Sequence, residues 1–180
     1  TSEGDFHEGV NLAAVMRAPT VLFCTNNQWA ISTPVARQTA TATIAEKAIA
    51  YGIPSVRVDG FDPLACWKVT HDAIVRARAG EGPTLIEAVA WRLAPHATAD
   101  DPSRYRDEAI TARWRELEPV GRTSAFLHRL GVLDHDGEAA IRAEAKARID
   151  EAVRAMEAVE LDPGIMFETL YASPPPSFRG

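Results

Sequence analysis

Two cysteines in 180 residues are too few for a disulfide framework. Cys24 and Cys66 both sit among apolar neighbours and read as buried, reduced thiols of a cytoplasmic protein. No apolar run approaches the roughly 20 residues that cross a bilayer, and no stretch has the layout of a signal peptide, so no membrane partner is expected. Cationic excess is missing as well: 19 Lys and Arg stand against 25 Asp and Glu, a net charge of -6. That balance leaves no long positive surface for nucleic acid. The acidic excess is spread along the chain, which suits solubility more than a specific partner. Internal repeats are absent too. Nor does the chain open on methionine; Thr1-Ser2-Glu3-Gly4-Asp5 reads like the interior of something longer, and the expectation is a fragment or a processed chain.

What is present is an ordinary globular composition, 46% hydrophobic and 24% charged, enough for one domain or a domain with an appendage. Residues 3–17 predict a helix whose stripe is Phe6, Val10, Ala13, Ala14 and Met16, stopped by Pro19. Residues 20–25 (TVLFCT) predict a short strand buried on both faces. A polar loop follows over 26–40, then a helical segment at 42–51 closed by Gly52. Ser55–Val58 predicts a second strand. Residues 62–79 predict an amphipathic helix with Leu64, Trp67, Val69, Ala73, Ile74 and Ala77 inward, broken by Gly80, Gly82 and Pro83. Thr84–Arg92 predicts a third strand. Strands alternating with helices at this spacing imply an α/β fold, a parallel sheet with helical crossovers, whose ligands bind beyond the carboxyl ends of the strands.

The pattern changes near residue 107, which divides the chain into an α/β domain over 1–106 and an all-helical region over 107–180. Residues 108–131 and 135–159 are helical, rich in Ala, Glu and Arg, and interrupted by Pro119, Gly121 and Gly131. Ile141, Ala145, Ile149, Val153 and Met156 form a stripe at spacings of three and four; it either lies under a solvated face or docks another subunit. Pro163 to Ala172 predicts a last short helix before the extended run Pro174-Pro175-Pro176.

Two stretches carry candidate chemistry, and both fall at strand ends. The first is Asn26-Asn27 in TNNQWAIST. Adjacent asparagines end a strand, and a turn is the plain reading. An amide oxygen is also a hard neutral ligand for magnesium or calcium, and the Trp29 carbonyl two residues on can reach the same ion. The second is the loop from Trp91 to Arg106, which carries an imidazole, carboxylates and guanidiniums. Arg92 suits a phosphate, and His96 can donate to a phosphate, a developing oxyanion or a substrate carboxylate. The alternative is a solvated loop pinned by Asp100 and Asp101 pairing with Arg104 and Arg106. His7, His71, His128 and His135 fall on helices or turns outside any ligand-like pattern.

SEGDFHEGVNLAAV, FCTNNQWAISTPVARQTA, YGIPSVRVDGFD, GPTLIEAVAWRL and PHATADDPSRYRD follow one another in this order. Together they resemble the alpha subunit of the thiamine-diphosphate-dependent decarboxylase component of the 2-oxo acid dehydrogenase complexes, over nearly the whole chain. The resemblance implies a partial thiamine diphosphate-binding fold with a helical tail. It implies that Asn27 and the Trp29 carbonyl ligate Mg2+, that Arg92 and His96 lie at the diphosphate, and that His96 serves catalysis beside the reacting centre. Asp100, Tyr105 and Arg106 match residues that order the loop. The implied partners are a beta subunit in an alpha-two beta-two heterotetramer, the lipoyl-bearing acyltransferase and a 2-oxo acid.

Some positions depart from that pattern. The family's acidic metal ligand is expected just before Thr1, so this chain alone is expected not to hold the cofactor. Ala97 stands where animal relatives carry a phosphorylatable serine, which excludes kinase control there. Thr25 and Gln28 replace residues that are often charged or glycine. The wording of the His96 loop favours branched-chain 2-oxo acids, with pyruvate and acetoin dehydrogenases close by. The rival of another class is a catalytically silent module that keeps only the subunit surface.

Overall fold

The computed structural model describes residues 1–168 and 170–173. The chain divides into two compact units, Thr1–Leu130 and Gly131–Gly180, so the first extends past the change of pattern near residue 107.

In the first unit helix α1 (Gly4–Val15) precedes strand β1 (Val21–Asn26). A two-residue pair, β2 (Trp29–Ala30) with β3 (Thr33–Pro34), follows, and after it come β4 (Ser55–Asp59), helix α2 (Pro63–Arg78) and β5 (Thr84–Val89). The sheet is parallel and its order is β1-β5-β4, so the strand last in sequence takes the centre. Its sequence explains this: TLIEAV is apolar on both faces apart from Thr84 and Glu87, and Leu85 and Ile86 are fully buried. The edge strands are less covered. β1 leaves Phe23 45% exposed, which corrects the expectation of burial on both faces. Cys24 and Cys66 are free and only half-buried, and burial pushes both thiols up from their ordinary pKa.

α1 buries Val10, while Met16, expected inward, lies outside the helix and exposed. α2 starts on Asp62, whose carboxylate accepts from the N–H groups of Leu64 and Ala65, with Pro63 in the first turn. It packs through Ala73 and Ala77, and Leu64 and Trp67 remain exposed, contrary to the predicted stripe. The helical segment before Gly52 is wound as a 3-10 helix, Ala45–Tyr51, and Gly52 ends it at φ 64. Gly60 is required where β4 turns: its N–H donates to the Val89 carbonyl at 2.7 Å, and a Cβ there would lie 2.8 Å from that oxygen.

The expected helix over 108–131 is two helices, α3 (Glu108–Arg115) and α4 (Pro119–Arg129), capped by Asp107 and Glu118. Pro119 forces the break, since it lacks an N–H and suits a first turn. Gly121 lies inside α4 instead of breaking it.

The second unit holds α5 (His135–Glu157) and α6 (Ile165–Glu168). Asp134 caps α5 by accepting from Gly137 N–H at 2.7 Å. The Arg142–Glu138 and Lys146–Asp150 pairs run along it. Ile141, Ile149, Val153 and Met156 are all exposed. α6 is shorter than the expected Pro163–Ala172, and Pro174-Pro175-Pro176 lies outside the described residues. Among the described residues no helix is long and apolar enough to cross a membrane.

Candidate functional site

Asn26, Val89 and Asp59 stand level at the carboxyl ends of the three parallel strands, so the segments that follow them leave from one rim. β1 leaves through two successive side-chain turns. The Asn26 Oδ1 accepts from Gln28 N–H at 3.1 Å, and the Asn27 Oδ1 accepts from Trp29 N–H at 3.0 Å. Gln28 sits at φ 71 between them. The paired asparagines therefore do make a turn, and each supplies one of its two closures.

The turn is fastened to the segment that leaves β5. Ala90 N–H donates to the Asn26 carbonyl at 2.9 Å, and Arg92 N–H to the Asn27 carbonyl at 3.3 Å. The Arg92 guanidinium then reaches over the turn, donating to the carbonyls of Trp29 at 3.0 Å and Ile31 at 3.2 Å. Ile31 holds φ 53, a costly value for a β-branched residue, and that conformation accompanies the carbonyl's contact with Arg92.

The loop to Arg106 folds back over this cluster. The Asp100 Oδ2 accepts from His96 N–H at 2.9 Å and from the Tyr105 hydroxyl at 2.6 Å. The Tyr105 hydroxyl and the His96 N–H hold the Asp100 carboxyl below the ordinary carboxylate range, and the same bond to Asp100 raises the Tyr105 phenol. Arg106 is 7% exposed and donates to the Arg92 carbonyl. The Tyr105 ring lies against Trp29 at 5.4 Å. Asp101 accepts from Ser103, so the alternative of a loop pinned by Asp100 and Asp101 pairing with Arg104 and Arg106 does not describe it: the carboxylates are met by a tyrosine, a serine and backbone groups, and Arg106 donates to backbone carbonyls.

Asn27, Trp29 and Arg92 are thus bonded to one another, and Tyr105 and Arg106 pack on them. His96 is exposed and joins the cluster through its backbone and Asp100. An aromatic train that no sequence pattern signals lies below the loop. Trp29 meets Trp91 edge-on at 6.0 Å, Trp91 stacks on Trp114 at 5.9 Å, and Trp114 meets Phe61 at 5.5 Å. Trp91 Nε1 donates to buried Thr111 at 3.1 Å, which ties α3 to the site. Glu87, outside the predicted site residues, is fully buried under the turn. A lone carboxylate in an otherwise apolar strand was the available signal.

Comparison with known proteins places these features in a family context. A sequence model described as "Dehydrogenase E1 component" matches residues 1–163. The chain is 49% identical to the 3-methyl-2-oxobutanoate dehydrogenase subunit alpha of Mycobacterium tuberculosis, over 99% of this chain and 49% of that protein. It is 46% identical to the pyruvate dehydrogenase E1 component subunit alpha of Staphylococcus aureus, over 89% of this chain and 44% of that protein. The chain spans about half the length of these curated relatives.

Proposed function

Because the chain belongs to the dehydrogenase E1 component family, we propose that it is the alpha-subunit portion of a 2-oxo acid dehydrogenase. In this proposal the assembled enzyme decarboxylates a branched-chain 2-oxo acid on thiamine diphosphate. It then passes the acyl group to the lipoyl domain of an acyltransferase, with a beta subunit completing the active site. The main support is the hydrogen-bonded cluster of Asn27, Trp29 and Arg92 at the carboxyl ends of adjacent parallel strands, with the His96 loop folded against it. The branched-chain choice leans on the fuller match to the Mycobacterium tuberculosis relative.

The donor set fits a magnesium diphosphate in part. The Asn27 Oδ1 and the Trp29 carbonyl are hard neutral oxygens, each with a second lone pair beyond the hydrogen bond it accepts. They can be two of the roughly six oxygens that magnesium takes. The described residues hold no cluster of three or more His, Cys, Asp or Glu that could bind a metal, so these two neutral oxygens do not belong to a metal site already complete among them. Two buried N–H groups at the site, Trp29 Nε1 and Arg106 Nε, have no acceptor among the described residues, as suits a site that receives an anion.

Thiamine diphosphate supplies the carbon nucleophile and the electron sink for decarboxylation. The residues of this chain supply position and charge. Asn27 and Trp29 offer oxygens to the cation. The Arg92 guanidinium carries its charge to the same rim, matched in shape to phosphate oxygens. The Asp100–Tyr105 contact fixes the loop, so that the His96 imidazole is presented from a defined backbone, able to donate to developing negative charge.

The test is turnover by the full-length protein assembled with its beta partner. 3-Methyl-2-oxobutanoate, pyruvate and acetoin are compared, each with Mg2+, thiamine diphosphate and a lipoyl domain. The expected result is the highest kcat/KM on 3-methyl-2-oxobutanoate. A preference for pyruvate or acetoin overturns the substrate choice, and no turnover of any of the three overturns the enzyme assignment.

A further inference from the structure

The Glu87 carboxylate is the most deeply buried charged group of the first unit, 1% exposed at the middle of the central strand. It faces donors on both sides. Its Oε1 accepts from Asn26 Nδ2 at 2.7 Å and its Oε2 from Ala45 N–H at 2.9 Å. Arg57 Nε stands 3.8 Å from Oε1. A carboxylate taken out of water is costly unless its oxygens are met, and here each has an N–H.

The polarity of this chain of bonds has one solution. Asn26 must turn its amide nitrogen toward Glu87, because its oxygen already accepts from Gln28 N–H at 3.1 Å. Reversing the Asn26 amide would set its nitrogen against the Gln28 N–H and its oxygen against a carboxylate. Ala45 presents a backbone donor that cannot reverse at all. Only a group that accepts at two points satisfies both neighbours, and a glutamine at this position would face one of them with its own N–H.

The Gln28 turn that Asn26 closes is followed directly by Trp29, whose carbonyl and ring form the candidate site. We propose that Glu87 is a positioning residue: acting through Asn26, it fixes the left-handed turn at Gln28 and so sets the direction of the Asn27 amide oxygen and the Trp29 carbonyl. It touches no reacting atom. Its Ala45 bond ties the same carboxylate to the start of the 3-10 helix Ala45–Tyr51, so one buried group sets the turn and the segment beside it.

The role rests on the proposed function for its consequence in cofactor binding, but not for its consequence in backbone geometry, and the two are read separately. The full-length protein assembled with its beta partner is prepared as wild type, Glu87→Gln, Asn26→Ala and the double variant Asn26→Asp/Glu87→Gln. In the double variant the introduced amide nitrogen donates to the introduced carboxylate, the amide oxygen accepts from Ala45 N–H and the carboxylate accepts from Gln28 N–H, so every bond is restored and only the one between residues 26 and 87 is reversed. Hydrogen exchange at the Gln28 and Trp29 amides reads the turn, and titration with Mg2+ and thiamine diphosphate reads the site. Glu87→Gln and Asn26→Ala are each expected to speed exchange at both amides and to weaken cofactor binding at least tenfold. Saturated kcat is expected to stay within threefold, and the double variant to return within threefold of wild type in affinity and exchange. Unchanged exchange and affinity in Asn26→Ala overturns the proposal, as does a double variant no better than Glu87→Gln. If Glu87→Gln does not fold, Asn26→Ala alone decides. If wild type binds no thiamine diphosphate, the proposed function fails, and hydrogen exchange still decides the role of Glu87.

Discussion

The Tyr105 hydroxyl and the His96 backbone N–H donate to the same oxygen, Oδ2 of Asp100, at 2.6 and 2.9 Å. A loop without regular structure at His96 is thereby tied to a ring that lies on Trp29. Order at His96 depends on an oxygen four residues away.

Tyr105→Phe removes one of these two bonds and keeps the ring. The expected outcome is a several-fold rise in hydrogen exchange at His96 and faster proteolysis between residues 96 and 104, with little change in the exchange of β5. On the proposed function, activity of the assembled protein is expected to fall with the order of the loop. Unaltered exchange at His96 would show that Asp100 holds the loop without Tyr105.

The same contact sets a pH dependence. The Tyr105 hydroxyl and the His96 N–H lower the Asp100 pKa in the folded chain. A lowered folded pKa contributes stability that is present above the unfolded value and is lost as pH falls through the folded value. Loop order is therefore expected to persist through the range where an ordinary aspartate protonates and to be lost only below it. Hydrogen exchange at His96, or tryptophan emission from Trp29 beside Tyr105, checks this as pH is lowered. In Asp100→Asn the step is absent.

Ile31 carries backbone strain at φ 53 and is 53% exposed. Left-handed backbone costs a β-branched residue about 1–2 kcal/mol. Ile31→Gly removes that cost at the expense of chain entropy, and the expected net gain is up to about 1 kcal/mol in denaturant unfolding. A loss larger than about 1 kcal/mol would mean that the Ile31 side chain contributes packing that outweighs the strain.

Asp62 caps α2 through two N–H groups and lies 3.5 Å from Arg122. Asp62→Ala is expected to lower stability by about 1 kcal/mol, or roughly 3 °C in Tm. Asp62→Asn, which keeps a capping oxygen, is expected to recover most of it. Equal losses in the two variants would assign the effect to the Arg122 pair instead of the cap.

Much of the architecture is legible from periodicity. The strand–helix–strand run from Ser55 to Val89 follows from alternation, from Asp62-Pro63 as a helix start and from Gly80 to Pro83 as its end. The order β1-β5-β4 is less accessible, because no local signal says which strand takes the centre; the largely apolar character of TLIEAV, interrupted by Glu87, is the one hint. The outward placement of Leu64 and Trp67 is not legible either, since a helical stripe gives a face and not its partner.

The candidate site divides in the same way. Asn27, Arg92, Tyr105 and Arg106 stand out because polar residues cluster after buried strands. Their hydrogen-bond partners do not stand out: Arg92 reaches Trp29 across 63 positions, and Asn26 reaches Glu87 across 61. Such pairings arise from parallel strand register, which sequence spacing does not encode. Trp91 and Trp114 read as ordinary apolar residues, and only the fold brings their rings to 5.9 Å.

The central claim is that the turn at Asn27 and Trp29 holds the cation of a magnesium diphosphate. Titration of the assembled full-length enzyme with Mg2+ and thiamine diphosphate, wild type against Asn27→Ala, tests it most directly. The predicted result is at least a tenfold loss of affinity in the variant, with the Tm of the cofactor-free protein nearly unchanged. Equal affinity in the two proteins would contradict it.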